Sequence, residues 1–129
     1  MAPTKPLVAQ QIEACYELMS INQDDIAEMT GTTQPSERLM KWRNKRIFFL
    51  TPQIIANDLI TNGSEMNPDK IKCLVIDEAH KATGNYAYCQ VVRALLQYTQ
   101  QFRIVALSAT PGRAANVYCF DQTCTARIF

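Results

Sequence analysis

The sequence predicts an α/β fold built on a mostly parallel sheet. Short apolar runs at 46–50, 73–76 and 103–107 have the β-branched and aromatic character of buried strands, and segments with helical spacing alternate with them. Each run ends abruptly in polar residues. Because the carboxyl ends of parallel strands share one edge of a sheet, these polar ends are expected to lie together and to bind the ligand.

The N-terminal half is predicted to alternate helices with strands. A helix over 6–19 has apolar residues at helical spacing, and Pro6 suits its first turn. A short strand over 26–29 and a short helix over 35–44 follow, in which Trp42 is interpreted as a packing anchor rather than a base-stacking platform. After the strand at 46–50, a helix begins at Thr51-Pro52-Gln53 and runs to about residue 60, and the polar stretch 62–69 is predicted to be a loop.

The run at 73–76 is predicted to be a strand that is buried on both faces, because all of its residues are apolar. Asp77 and Glu78 follow it directly, where a hard cation and a nucleotide could bind. Asp77 is assigned to Mg²⁺ and Glu78 to the activation of water. The alternative is a solvated loop or a helix N-terminus, where acidic side chains complement the helix dipole. A helix predicted over 86–98 then leads to the strand at 103–107.

Composition restricts the class of protein only weakly. The 129 residues suit one small domain, and 13 basic against 12 acidic residues give a formal net charge of +1, which neither requires nor excludes nucleic acid. No apolar run approaches the roughly 20 residues of a membrane span. The 5 cysteines are an odd number, and Cys73 lies in a predicted core strand, which favours reduced thiols in a nucleus or cytosol.

Several segments, taken in order, resemble the motifs of a known family. They are residues 2–8, Thr30-Gly31, Thr51-Pro52-Gln53, Asp77-Glu78-Ala79-His80 and Ser108-Ala109-Thr110. This set is similar to the first RecA-like domain of superfamily 2 DNA helicases and translocases with a DEAH motif. The resemblance covers about residues 2–112 and implies a partial RecA-like, P-loop NTPase type, three-layer domain over 1–112. It leaves residues 113–129 unmatched, and this tail is expected to be irregular.

The resemblance also implies roles for individual residues. Asp77 and Glu78 would serve the hydrolysis of Mg²⁺-ATP, and His80 would couple that site to Ser108, Ala109 and Thr110. The residues that would grip DNA, branched or single-stranded and without sequence preference, are Thr4, Lys5, Thr30, Gly31, Thr51 and Gln53. The expected setting is DNA repair and replication-fork remodelling in the nucleus.

One part of the family's chemistry is missing from the sequence. A phosphate-binding loop ends in Gly-Lys-Thr or Gly-Lys-Ser, and the glycines at 31, 63, 84 and 112 form no such segment. The chain is therefore expected to be an internal fragment that lacks the phosphate-loop strand and the second motor domain, that is inactive alone, and that leaves an edge beside 103–107 unpaired. The alternative is a non-catalytic DNA- or protein-binding remnant of a truncated product.

Overall fold

Residues 1–82, 84–109 and 126–128 are described by the structure, which is a computed structural model. The helices are α1 (Lys5–Leu18), α2 (Pro35–Asn44), α3 (Pro52–Met66) and α4 (Ala87–Leu96). The strands are β1 (Ile26–Met29), β2 (Ile47–Leu50), β3 (Cys73–Ile76), β4 (Arg103–Ala106) and β5 (Ala126–Ile128). Helices and strands alternate from α1 to β4, which confirms the predicted α/β class. No helix in the described ranges is long and apolar enough to cross a membrane.

The strands pair in parallel within two sheets that the first residues of the chain connect. β1 pairs with β2, and β3, β4 and β5 form the second sheet in that order. The Ala2 amide donates a hydrogen bond to the Leu50 carbonyl at 3.2 Å, and the Asp77 amide donates one to the Met1 carbonyl at 3.0 Å. The amine of Met1 also donates to the Val75 carbonyl at 2.7 Å. The carboxyl ends of β2 and β3 therefore flank residues 1–2.

Helices pack on both faces of this arrangement, because successive side chains of a strand point in opposite directions. Leu50 of β2 is buried in a large cluster that also contains residues of α2, α3, α4, β3 and β4. Ile47 and Phe49 of the same strand pack instead against Ile12 and Cys15 of α1. The helices α2, α3 and α4 form one outer layer and α1 the other, as the resemblance implies.

The prediction that β3 is buried on both faces is wrong. Leu74 and Ile76 are buried in the large cluster, but Cys73 is exposed and Val75 retains 45% of its exposure. The cluster formed by α1 contains residues of β1 and β2 and none of β3 among the described positions. The expectation of reduced thiols is also wrong at one position: Cys15 and Cys73 are free, whereas Cys89 is disulfide-bonded.

Two further boundaries differ from the sequence predictions. α3 continues through Asn62-Gly63 to Met66, which is 3% exposed and packs in the large cluster, and the helix ends at Asn67 in the left-handed conformation (φ 54°) before Pro68. The segment predicted to be a loop is therefore largely helical, since the buried Met66 anchors its end. The chain also does not stay irregular after 112: β5 pairs with β4 over Ile104↔Ala126 to Ala106↔Ile128. The edge of β4 that was expected to be unpaired is thus paired.

Candidate functional site

The acidic segment after β3 and the segment after β4 lie side by side. The parallel pairing of β3 with β4 aligns Ile76 with Ala106. It continues beyond the strands, because the Leu107 amide donates a hydrogen bond to the Ile76 carbonyl and the Ala79 amide donates one to the Leu107 carbonyl, both at 2.8 Å. The Nδ1 atom of His80 lies 3.4 Å from the Ser108 hydroxyl. The expectation that these two segments share an edge is met. Thr110 lies outside the described residues.

Asp77 is held by residues from both helical layers. Its Oδ1 atom accepts a hydrogen bond from the Glu78 amide at 2.9 Å, and its Oδ2 atom accepts one from Nε2 of Gln11 in α1 at 2.6 Å. The hydroxyl of Tyr88 in α4 donates to the Asp77 carbonyl at 2.7 Å. Sequence reasoning missed Gln11 and Tyr88, because no spacing rule connects residues on separate elements. The carboxylate is therefore fixed in orientation before any ligand binds.

The Tyr88 hydroxyl is a neutral hydrogen-bond donor at neutral pH. Burial, together with the nearby Tyr86 and the negative charges of Asp77 and Glu78, raises the pKa of the Tyr88 hydroxyl well above its ordinary value. The ring is fully buried. Its hydrogen bond to the backbone of Asp77 therefore persists to a higher pH than that of an ordinary tyrosine.

Glu78 has an unusual backbone and an accessible side chain. Its φ of 52° and ψ of 45° lie in the left-handed region, where residues with a side chain are uncommon. The side chain retains 34% of its exposure, and its Oε2 atom lies 3.3 Å from Nδ1 of His80. Strained backbone of this kind is typical of functional sites. The carboxylate is able to accept a proton from a water molecule, which a general base requires.

The donor set fits a Mg²⁺ ion that keeps most of its shell as water and phosphate oxygens. Both Asp77 oxygens already accept one hydrogen bond, and each carboxylate oxygen retains a second lone pair. Within residues 1–82, 84–109 and 126–128, no group of at least 3 His, Cys, Asp or Glu side chains could hold a metal. One carboxylate with waters is a usual protein contribution to Mg²⁺ in nucleotide sites.

The segments predicted to contact DNA line up along the same edge. Met29 of β1 is aligned with Leu50 of β2, so Thr30 and Thr51 follow two neighbouring strand ends. The hydrogen bond from Ala2 to Leu50 brings residues 2–4 next to Thr51. A cavity of about 400 Å³ separates this segment from the start of α4, and it is lined by Pro3, Thr51, Pro52, Gln53, Asn85, Tyr86, Ala87 and Gln90.

The side chains of these segments remain available to a ligand. Lys5 is exposed in the first turn of α1. Thr4 caps that helix with its carbonyl, which accepts a hydrogen bond from the Val8 amide at 3.1 Å, and its hydroxyl makes no capping bond. Thr51 caps α3 in the same way. Gly31 is exposed, and no atom would lie within 4 Å of a Cβ added there. The backbone at Gly31 is therefore open to close approach by a phosphate.

A parallel sheet with Asp-Glu-Ala-His after one strand and three polar segments beside it on the same edge defines a helicase-type motor domain. The family model described as DEAD/DEAH box helicase matches residues 1–117, and the chain belongs to this family. The predicted boundary at residue 112 remains a prediction.

Curated relatives narrow the resemblance to one branch of that family. The chain is 62% identical over 112 residues to the Fanconi anemia group M protein homolog of Mus musculus and 59% identical over 112 residues to the Fanconi anemia group M protein of Gallus gallus, with 87% of this chain covered in each case. It is 50% identical over 116 residues, 90% of its length, to the ATP-dependent DNA helicase mph1 of Sclerotinia sclerotiorum. The chain spans only 5% of the first two proteins and 9% of the third.

Solved structures agree with the fold. The Hef helicase domain of Pyrococcus furiosus superposes with a TM-score of 0.79 at 30% identity, covering 99% of this chain and 28% of that one. The helicase MrfA bound to DNA superposes with a TM-score of 0.70 at 19% identity, covering 99% of this chain and 18% of that one, and supports the fold alone.

Proposed function

We propose that this chain is the part of an ATP-dependent DNA helicase or translocase that carries the DEAH carboxylates and the DNA-gripping segments of the first motor domain. The observation that carries the proposal is the single carboxyl edge on which Thr30, Thr51, Thr4, Asp77 and Ser108 follow one another. The relatives named for DNA helicase activity and for Fanconi anemia support a role in DNA repair, with replication-fork remodelling in the nucleus as its setting.

In the proposed nucleotide site, each polar residue of the acidic segment has one task. Asp77, oriented by Gln11, would hold a Mg²⁺ ion, and the ion would supply charge neutralisation at the phosphates. Glu78 takes the proton of the attacking water. The Nδ1 atom of His80 lies near both the Glu78 carboxylate and the Ser108 hydroxyl, and His80 transmits the state of this site to the segment after β4, including Ala109 and Thr110.

In the proposed DNA site, six residues contact the phosphate backbone of one strand: Thr4, Lys5, Thr30, Gly31, Thr51 and Gln53. Backbone amides at the starts of α1 and α3, threonine hydroxyls and the Lys5 ammonium are suited to phosphate oxygens and read no base. Binding is accordingly independent of sequence, for single-stranded or branched DNA. Each lysine that neutralises a phosphate releases counterions, so affinity falls as salt is added.

Hydrolysis is not expected from this chain alone. Positioning and charge stabilisation supply most of the catalysis of phosphoryl transfer, and no Gly-Lys-Ser or Gly-Lys-Thr loop is present to cradle the phosphates. ATPase activity, with and without DNA, should equal that of the Glu78→Gln variant. Activity above that variant would show that a phosphate site exists which the sequence does not reveal.

A titration of labelled single-stranded DNA at two salt concentrations tests the proposed DNA site. Lys5→Ala should weaken binding and lower the slope of log affinity against log salt by about 0.7, the value for one phosphate contact on a single strand. Lys72→Ala is the matched control, because Lys72 precedes β3 at the opposite end of the strand and donates to the Asp69 carbonyl. Affinity that does not respond to salt, or equal losses in both variants, would contradict the proposal. Absence of any affinity would favour a protein-binding remnant.

A further inference from the structure

The turn that joins β1 to α2 has its own internal hydrogen bonds. The Thr33 amide donates to the Thr30 carbonyl at 3.0 Å, and the Thr30 amide donates to Oγ1 of Thr33 at 3.1 Å. The hydroxyls of Thr30 and Thr32 lie 2.8 Å apart. These bonds shape residues 30–33, but all of them lie within the turn. The pairing of Met29 with Leu50 holds the Thr30 end of the turn, but the bonds within the turn do not fix its Thr33 end.

Arg38 of α2 connects the turn to a buried anchor on α3. Its Nη1 atom donates to the Thr33 carbonyl at 2.7 Å. Its Nε and Nη2 atoms donate to the two carboxylate oxygens of Asp58 at 3.0 and 2.8 Å. Asp58 is 2% exposed and also accepts from Nε1 of Trp42 at 2.9 Å. One guanidinium thus joins the turn, α2 and α3.

The helix at the far end of this connection begins with the other DNA-contacting segment. α3 starts directly after Thr51, and Gln53 is in its first turn. Asp58 lies on the same helix, so Arg38 ties the Thr33 end of the turn to the rigid element that begins after Thr51. Arg38 has no role in the proposed contacts with DNA itself. The contact of Arg38 that reaches the DNA-contacting segments is the one to the Thr33 carbonyl.

We propose that Arg38 is a positioning residue that holds Thr30 and Gly31 at a fixed place relative to Thr51 and Gln53, so that both segments meet one DNA strand as a unit. The inference rests on the proposed DNA contacts and adds the residue that aligns them. The planar guanidinium of Arg38 has five N–H donors in fixed directions and can bind Asp58 and the Thr33 carbonyl simultaneously. A lysine ammonium is a compact charge that cannot reach both groups. Arginine is therefore required at this position for a reason beyond its charge.

Arg38→Lys separates alignment from charge. The variant keeps a cation beside Asp58 and loses the connection to Thr33. DNA affinity should fall about tenfold, because a displaced turn would lose about one hydrogen bond to a charged phosphate. Amide exchange at Thr30 and Thr33 should accelerate in the absence of DNA. Arg43→Lys is the control, because Arg43 lies on the same helix with 49% exposure and, within the described part of the chain, forms an ion pair only with the exposed Glu65 at 3.6 Å. It should change neither quantity.

A double-mutant comparison distinguishes alignment from general stability. In a Thr30→Ala background, Arg38→Lys should cost less than threefold in affinity, since the contact that it aligns is already lost, whereas in a Lys5→Ala background the tenfold loss should persist. Equal losses in both backgrounds would overturn the inference. Arg38→Gln is the second variant in case Arg38→Lys fails to fold. Its amide keeps a donor toward Asp58 but cannot reach Asp58 and the Thr33 carbonyl together, so it should reproduce the loss. Unchanged affinity in Arg38→Gln would also overturn the inference.

The outcome for the wild-type chain separates this inference from the proposed function. If the wild-type chain shows no DNA affinity, the proposed function fails and the DNA role of Arg38 fails with it. If the wild-type chain binds DNA and Arg38→Lys binds equally well with unchanged amide exchange at Thr30 and Thr33, the proposed function stands and only the positioning role is refuted.

Discussion

Replacing Asp58 by Asn should destabilise the protein more than any other single loss of charge on α3. Asp58 is 2% exposed and accepts hydrogen bonds from Arg38 and Trp42. The hydrogen bonds with Asp58 raise the pKa of Arg38, so the guanidinium stays charged and the variant leaves it without its counterion. Breaking a buried pair at one partner costs about 3–5 kcal/mol. That is a large share of the roughly 5–15 kcal/mol that stabilises a domain.

Glu65→Gln is the matched control for Asp58→Asn. Both variants remove one negative charge from α3 opposite an arginine of α2, but Glu65 and Arg43 are 57% and 49% exposed and lie 3.6 Å apart. An exposed pair contributes about 0.2–1 kcal/mol. Urea denaturation followed by circular dichroism measures the unfolding free energy of both variants, and a thermal scan should show a drop in melting temperature on the order of 10 °C for Asp58→Asn alone. Similar unfolding free energies for the two variants would refute the argument that burial of the pair determines its importance.

Other perturbations test the site directly. Gly31→Ala should not lower the unfolding midpoint, because no atom beyond the adjacent residues lies within 4 Å of the added Cβ, and should still weaken DNA binding in a fluorescence titration. Tyr88→Phe keeps the buried ring and removes the bond to the Asp77 carbonyl, so urea denaturation should show a loss of about 1 kcal/mol. Stability should also fall between pH 8 and pH 6. Burial lowers the pKa of the Met1 amine from 8.0 to about 6, and the unfolded chain therefore binds the proton first as pH falls. Acetylation of that amine should remove this part of the pH dependence, and a dependence that persists unchanged would assign it to another group.

The sequence determined the features that depend on local periodicity and on chain order. β1 at Ile26–Met29 and α2 at Pro35–Asn44 coincide with the predicted ranges. The juxtaposition of His80 and Ser108 was also predictable, because two parallel strands that each end in polar residues must present those ends at one edge. The DEAH segment and its order relative to the other motifs were sufficient to predict the family.

Only the tertiary structure decided which surfaces are covered and which distant residues meet. The four apolar residues of β3 look alike in the sequence, yet Cys73 and Val75 are exposed, because burial depends on whether a neighbouring layer extends over them. Asn62-Gly63 suggested a turn, but the docking of Met66 into the core extends α3 past it. The bond from Gln11 to Asp77 spans 66 positions, and the bonds from Arg38 to Asp58 span 20. A spacing pattern records only the period of a single helix or strand, whereas contacts between elements follow from how the packed layers bring their side chains within reach.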